Sequence, residues 1–147
     1  MDTLDISILR LEPSVEMPSY AYEGDAGLDL RASATVDINP FERVLIPTGL
    51  AIAIPDGYAG FVQPRSGNAL KRGLTIANTP GLIDAHYRGE LKVIAINLDA
   101  HEPIHIERGE RIAQLVIQKV PTVHLVEVDK LDETDRGCGG FGSSGSK

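Results

Sequence analysis

A short segment around Asp84 contains the residue types of a hydrolytic site. Asp84 follows the apolar residues Leu82 and Ile83, and Tyr87 comes three residues later. A carboxylate in partly apolar surroundings can hold a water molecule and act as a general base, which contributes roughly 10²–10⁴-fold to a rate. The alternative is a turn aspartate that caps its own backbone, with Tyr87 as a packing residue.

A second segment has the composition of a phosphate site. Arg65, Ser66 and Gly67 follow a predicted strand and open the stretch Ser66–Arg72, which predicts a helix of about two turns. Free backbone N–H groups at a helix N-terminus bind phosphate, and an arginine adds a bidentate cation. A serine N-cap without a ligand is the competing interpretation.

Three further segments hold polar residues that need an explanation. The first has two acids, one of them Asp29, around a strand start, and the second has Gln114 inside a predicted strand, where a polar side chain needs a partner. The third is the glycine-rich end of the chain, in which Arg136 and Phe141 stand among small residues. A polar turn, the solvent face of a strand and a flexible terminus are the simpler interpretations.

One segment matches a zinc pattern without its context. His101-Glu102-Pro103-Ile104-His105 has the letters of H-E-x-x-H, a pattern that works only on a helix. Pro103 would break that helix. In an extended chain the two histidines lie about 13 Å apart, too far for one zinc ion. We therefore expect a turn and a strand start here, and no structural metal.

The elements that must position these segments are mainly strands. Alternating and β-branched runs bounded by Gly, Pro, Asn and Asp predict an all-β barrel, sandwich or jelly-roll-like domain. The segment Asn78–Glu90 predicts a β-hairpin. The predicted strands are Leu4–Arg10, Thr35–Ile38, Val44–Ile46, Leu50–Ile54, Gly60–Gln63, Leu74–Ala77, Leu91–Leu98, Arg111–Val120 and Thr122–Val128.

Composition limits the function classes. The chain has 147 residues, 42% hydrophobic, which fits one domain. Its net charge of −7 argues against a broad nucleic-acid surface, although a small anion could bind where a few cations gather. No apolar run is long enough to span a bilayer. With Cys138 as the single cysteine no intrachain disulfide can form, so a cytoplasmic location is expected.

Taken in order, the five segments resemble the five motifs of the trimeric dUTPase family, over about Asp25–Gly145. The resemblance implies an all-β, jelly-roll-like (β-clip) domain with one short helix, assembled as a homotrimer with a C-terminal arm. Residues 1–131 would form the core, and residues 132–147 a flexible lid. The most specific part is the pattern Asn-x-x-Gly-x-x-Asp-x-x-Tyr at Asn78, Gly81, Asp84 and Tyr87.

The resemblance implies hydrolysis of dUTP to dUMP and pyrophosphate, which keeps uracil out of DNA. Asp84 would deprotonate the water that attacks the α-phosphorus. Tyr87 would stack on the deoxyribose and leave no room for the 2′-hydroxyl of UTP. Asn78 would pair with the uracil edge, together with the hairpin backbone at Gly81 and around Lys92.

The remaining motifs would hold the triphosphate. Arg65, Ser66, Gly67 and Gln114 would bind the phosphates, and Asp29 would act through waters around a Mg²⁺ ion carried by the triphosphate. The tail would close over the nucleotide and complete the phosphate cage. Phe141 would stack on uracil and Arg136 would reach the γ-phosphate. The other tail contacts would be Gly142, Ser143 and Ser144.

The family resemblance also implies a site shared by three subunits. One subunit would give the phosphate motifs, a second the uracil hairpin and a third the tail. Neither nucleic acid nor membrane is an expected partner. Asn68, His86 and Cys138 depart from the family's usual pattern without replacing a residue that has a role. His86 could tune pH dependence, and Cys138 could make the lid sensitive to oxidation.

Two other functions remain open at the level of sequence. A dCTP deaminase, or a bifunctional deaminase-dUTPase, has a similar fold but uses a catalytic glutamate and lacks the pairing of Asp84 with Tyr87. A non-catalytic nucleotide-sensing protein would be expected to have lost Asp84 or the tail, and both are present.

Overall fold

Strands dominate the computed structural model, which describes residues 2–147 and contains a single short helix within them. The all-β class and the helix Ser66–Arg72 are thus confirmed. The elements are β1 (Ser7–Arg10), β2 (Leu28–Arg31), β3 (Val36–Ile38), β4 (Arg43–Ala53), β5 (Tyr58–Gln63), α1 (Ser66–Arg72), β6 (Leu74–Ile76), β7 (Gly81–Ile83), β8 (Glu90–Asn97), β9 (Ile104–Ile106) and β10 (Arg111–Lys119).

The strands form three antiparallel sheets around one core. Their orders are β1-β4-β8-β6, β2-β10-β5-β7 and β3-β9, so the described strands do not close into a barrel. All three sheets contribute to a single apolar cluster, for example through Ile46, Leu115 and Ile106. Burial of such branched residues is what stabilises the sheets. No helix within residues 2–147 is long and apolar enough to cross a membrane.

The hairpin prediction for Asn78–Glu90 is wrong. β7 pairs with β5 in one sheet, whereas β8 lies between β4 and β6 in another. The two halves of the segment therefore belong to different sheets, and the intervening loop crosses from one to the other. Two predicted strands, Val44–Ile46 and Leu50–Ile54, are instead one continuous strand, β4, with a register shift between Pro47 and Ala51.

The predicted strand Thr122–Val128 is also wrong for the chain taken alone. The segment has no regular secondary structure and no ladder of hydrogen bonds among the described residues. Its apolar side chains are exposed, Leu125 by 87% and Val126 by 71%. A strand needs a neighbouring strand for its backbone groups, and within residues 2–147 no sheet edge pairs with this segment.

The histidine segment has the turn and strand start that the sequence predicts. His105 lies in β9, and its ring contacts two carboxylates: Nδ1 is 2.6 Å from Asp37 Oδ1, and Nε2 is 2.7 Å from Glu107 Oε1. The hydrogen bonds to Asp37 and then Glu107 raise the pKa of His105 above its ordinary value, although desolvation opposes them. The His105 ring thus links β3 to β9.

We expect Asp37→Asn to lower the pKa of His105, because it removes the stronger of its two hydrogen-bond partners. Since the folded pKa is raised, protonated His105 stabilises the fold at low pH, and this contribution is lost as pH rises through the folded pKa. The pKa of His105 is measured by an NMR titration of the histidine ring protons, with the other histidines as internal controls. An unchanged midpoint for His105 would contradict the assignment.

Candidate active site

One cavity gathers the residues predicted to bind phosphate. It lies where β5 ends and α1 begins, has a volume of about 650 Å³, and is bordered by β2 and β10. No side chain caps the first turn of α1, so the Ser66 and Gly67 N–H groups are not taken by a cap. The predicted residues that line the cavity are Asp29, Arg65, Ser66, Gly67 and Gln114.

Asp29 is the acid of this cavity, and two arginines flank it. Its side chain is 14% exposed; Oδ1 is 3.1 Å from Arg65 Nε, and Oδ2 is 3.6 Å from Arg111 Nε. The Asp29 carboxylate thus forms ion pairs with both guanidinium groups. The site therefore places the Asp29 carboxylate between two cations, and its ion pair with Arg65 lies on the wall of the cavity.

Arg111 is a site residue that sequence reasoning missed. It is three residues from Gln114, so regular alternation would place it on the opposite face of β10. The pairing of β10 with β2 shifts register between Arg111 and Ala113, which leaves Ile112 as an extra, buried residue. This bulge brings Arg111 to the face of Gln114 and Asp29. A bulge has no clear sequence signal.

Gln114 is held by its neighbours in the cavity. Its Nε2 donates a hydrogen bond of 2.9 Å to the Pro64 carbonyl, so the amide has the partner that its partly buried position requires. The backbone of Gly27 passes close by: a Cβ there would lie 2.6 Å from Gln114 Oε1. Gly27, which precedes the strand that carries Asp29, thus makes room for the side-chain amide of Gln114.

Two side chains of α1 fix the helix on the end of β10. Asn68 Nδ2 donates to the Arg111 carbonyl at 3.1 Å, which gives this unusual residue a structural role. Arg72 donates to Glu110 Oε2 at 3.1 Å and to the His105 carbonyl at 2.7 Å. Burial alone would raise the pKa of Glu110, but the Glu107 N–H and Arg72 outweigh it and lower the pKa.

A second, smaller cavity contains the predicted general base. It has a volume of about 280 Å³ and is open to solvent. Apolar side chains from three strands and the polar groups of the β7–β8 loop share its wall, the combination that the sequence suggested for a water-holding carboxylate. The lining residues are Leu45, Leu82, Ile83, Asp84, Tyr87, Glu90, Lys92 and Ile94.

A turn holds Asp84 and Tyr87 in fixed relation. The Tyr87 N–H donates to the Asp84 carbonyl at 3.1 Å, and the Tyr87 hydroxyl donates to the Glu90 carbonyl at 3.0 Å. His86 points away from the cavity, with Nε2 2.9 Å from Asp56 Oδ1 on the β4–β5 turn. The side chain of Asn78 lies beside Gly81 at the other end of β7. Neither Asn78 nor Gly81 lines the cavity.

The two cavities are far apart in one chain. No described residue lines both. β7 runs antiparallel to β5 with Ile83 opposite Gly60, so Asp84 is level with Ala59 and about six residues from Arg65. At roughly 3.3 Å per residue this separates Asp84 from Arg65 by roughly 20 Å. A single chain therefore does not bring the base to the phosphate residues.

The tail forms a third, separate group. Every hydrogen bond described for residues 132–147 joins two tail residues, such as Arg136 Nε to the Gly139 carbonyl at 2.9 Å. Phe141 is fully exposed, and Cys138 is an exposed free thiol. Arg136, Ser143 and Ser144 border a shallow surface of their own. The tail residues predicted to bind nucleotide are therefore free of the core in this chain.

Comparison with known proteins identifies the class. The dUTPase family model matches residues 13–145, so the chain belongs to the dUTPase family. Curated deoxyuridine 5′-triphosphate nucleotidohydrolases include those of Corynebacterium diphtheriae, 56% identical over 95% of this chain and 92% of the relative, and Thermobifida fusca, 52% identical over 97% and 80%. The family prediction is thereby confirmed.

Solved structures agree on the fold. The Staphylococcus bacteriophage 80alpha dUTPase with dUpNHpp is 34% identical, with a TM-score of 0.90 over 98% of this chain and all of that chain. A point mutant of the dUTPase from phage phi11 of S. aureus, described with a structural Mg(II) ion, is 28% identical, with a TM-score of 0.82 over 88% of this chain and 100% of that chain. The all-β dUTPase fold is confirmed.

Proposed function

We propose that the chain hydrolyses dUTP to dUMP and pyrophosphate by Mg²⁺-assisted attack of water on the α-phosphorus, in a site shared between the subunits of a homotrimer. The observation that carries the proposal is the presence of all five dUTPase segments in three incomplete groups. The predicted phosphate residues, the predicted base and the tail lie in three separate places in one chain, and each lacks the other two.

Asp84 is the general base in this proposal. It is ionisable, solvent-accessible and bordered by Leu82 and Ile83, so a water molecule can reach it on a partly apolar surface. Tyr87 lies on the same wall, where its ring can pack on a deoxyribose. Uracil then contacts Asn78 and the backbone around Gly81 and Lys92, since amide and carbonyl groups can pair with the donors and acceptors on the polar edge of a base.

The triphosphate binds in the larger cavity, where Arg65, Gln114 and the first N–H groups of α1 surround it. Mg²⁺ supplies charge neutralisation on the phosphate oxygens. Asp29 fits an indirect role for such an ion, because both of its oxygens already face arginines. Release of Arg65 to the phosphates would leave one carboxylate oxygen to accept a hydrogen bond from a metal-bound water.

Association with two further copies supplies the missing parts. Leu45 and Ile94 are Cα partners on neighbouring strands and are 55% and 37% exposed, and Leu82 beside them is 58% exposed. Together with the unpaired segment Thr122–Val128, they form an exposed apolar surface of the kind that marks a protein–protein interface. Contacts between copies would cover this surface and bring Asp84 of one chain to Arg65 of another.

The tail closes the site as a lid over residues 132–147 on a core of residues 1–131. Glycines and serines leave it little to bury alone, so it gains order by binding. Arg136 then adds a cation near the γ-phosphate, and Phe141 stacks on uracil. Gly142, Ser143 and Ser144 provide backbone and hydroxyl donors. Closure also removes water from the phosphates.

Release of pyrophosphate from dUTP, UTP, dTTP and dCTP with Mg²⁺, measured in parallel, tests the proposal. We expect rapid release from dUTP alone, and a trimeric mass by light scattering. Ammonia release from dCTP would instead favour the deaminase-like function. Binding of dUTP without any product, by a folded trimer, would favour a nucleotide sensor and overturn catalysis.

A further inference from the structure

The ring of Tyr87 rests directly on the backbone of Gly89. A Cβ atom placed on Gly89 would lie 2.6 Å from Tyr87 Cζ and 3.0 Å from Cε2, and closer still to the hydroxyl oxygen. All three nearest atoms belong to Tyr87. Real side chains do not approach so closely, so any residue larger than glycine would push the ring away.

The backbone itself does not require glycine at this position. Gly89 is absent from the glycines with positive φ, so its conformation is open to other residues. It is also exposed, and the three atoms nearest to its missing side chain lie on that single ring. Alanine at position 89 would therefore act mainly on Tyr87 and little on the core.

One main-chain bond and one side-chain bond hold Tyr87 in place on this loop. The Tyr87 N–H donates to the Asp84 carbonyl at 3.1 Å, and the Tyr87 hydroxyl donates to the Glu90 carbonyl at 3.0 Å. Gly89 directly precedes Glu90, and its missing side chain lets the hydroxyl end of the ring approach the chain this closely. The height of the ring above the loop is thus set by the absence of a side chain at Gly89.

We infer that Gly89 is a specificity-determining positioning residue for the sugar. This inference rests on the proposed function, in which Tyr87 contacts the deoxyribose. A ring seated on Gly89 presents a fixed face to the sugar, and the space for a 2′-hydroxyl depends on where that face lies. Raising or tilting the ring would change the fit of dUTP and UTP unequally, because only UTP carries the 2′-hydroxyl whose space the ring limits. A misplacement of about 1 Å can cost about 10²-fold in rate.

The test compares Gly89→Ala, Tyr87→Ala and the double variant by the ratio of kcat/KM for dUTP to kcat/KM for UTP. We expect Gly89→Ala to lower this ratio by between about 10- and 10²-fold. The double variant should have the same ratio as Tyr87→Ala, since Gly89 acts only through the ring. Far-UV circular dichroism and light scattering confirm that each variant folds and assembles like the wild type.

A wild-type ratio in folded Gly89→Ala would overturn the inference, as would a further fall of the ratio in the double variant below that of Tyr87→Ala. An unchanged ratio in Tyr87→Ala would overturn it as well, and would be recognised as a failure of the proposed sugar contact. If Gly89→Ala does not fold, the same change is made in Tyr87→Phe, which lacks the hydroxyl oxygen that the new Cβ meets first. The ratio should then fall below that of Tyr87→Phe alone, and equality would overturn the inference.

Discussion

Asp84→Asn is expected to slow pyrophosphate release from dUTP by roughly 10²–10⁴-fold, the range that a positioned general base contributes. The amide keeps the size of the carboxylate and its place on the wall of the smaller cavity. It cannot accept the proton of an attacking water at neutral pH. Nucleotide binding should remain nearly intact, because the arginine and the helix N-terminus that we propose to bind the phosphates lie in the other cavity.

Single-turnover measurements with Mg²⁺ and calorimetric binding of a non-hydrolysable dUTP analogue separate these two effects. Asp56→Asn is the matched control: it makes the same change on the neighbouring turn, at an acid that contacts only His86. The control should keep most of the activity, since an exposed pair contributes little. Turnover that survives in Asp84→Asn at the control's level would remove the general-base role.

The strands could be predicted where each has one buried face. In β8, residues Leu91, Val93 and Ala95 are buried and the residues between them are less so, whereas the sequence shows an apolar run interrupted by Lys92, whose branched residues predict a strand. Boundaries there were right to within a few residues. β4 was split in two because Gly49 and its neighbours interrupt the alternation, and the backbone bulges at that point without ending the strand.

Pairing partners could not be predicted in the same way. Gly81–Ile83 and Glu90–Asn97 look like two arms of a hairpin, because sequence shows only that a turn lies between two β-branched runs. Which edge each arm joins depends on tertiary contacts, and β7 finds β5 while β8 finds β4. The prediction of a strand at Thr122–Val128 is wrong for a related reason. The residue pattern indicates a strand, but no strand of the described chain pairs with the segment.

The candidate site also has residues that the sequence predicts and residues that it does not. Motifs predict residues that would contact a ligand, such as Arg65 and Gln114, because ligand chemistry restricts the type of such residues. Residues that act on those residues carry no such signature. Arg111 reaches Asp29 only through a bulge, and the role of Asn68 depends on a carbonyl 43 positions away. Long-range geometry of this kind has to be seen in a structure.

Removal of the chain from Arg136 onward is expected to lower kcat/KM for dUTP by roughly 10²–10³-fold, the scale of losing a positioned donor to a developing charge. The core should stay folded, since the hydrogen bonds of residues 132–147 are confined to the tail. Thermal unfolding and light scattering check this. The single variants Arg136→Ala and Phe141→Ala then show how much of the loss in kcat/KM comes from the proposed contact with the γ-phosphate and how much from the proposed contact with uracil. Full activity of the truncated protein would contradict the role of the tail as a lid.

Mixing the Asp84→Asn protein with the truncated protein tests whether one site takes its base and its tail from different chains. Trimers refolded from equal amounts of Asp84→Asn chains and chains that end at Asp135 contain intact tails and intact bases on different subunits. If base and tail reach one site from different chains, about a quarter of the sites regain both. If one chain supplies both, every site lacks one of them and activity stays at the level of the separate proteins. We expect recovery: the roughly 20 Å between Asp84 and Arg65 in one chain would require phosphates bound at Arg65 to meet the base of a neighbour, and the described hydrogen bonds of the tail do not join it to the part of its own chain that carries Asp84.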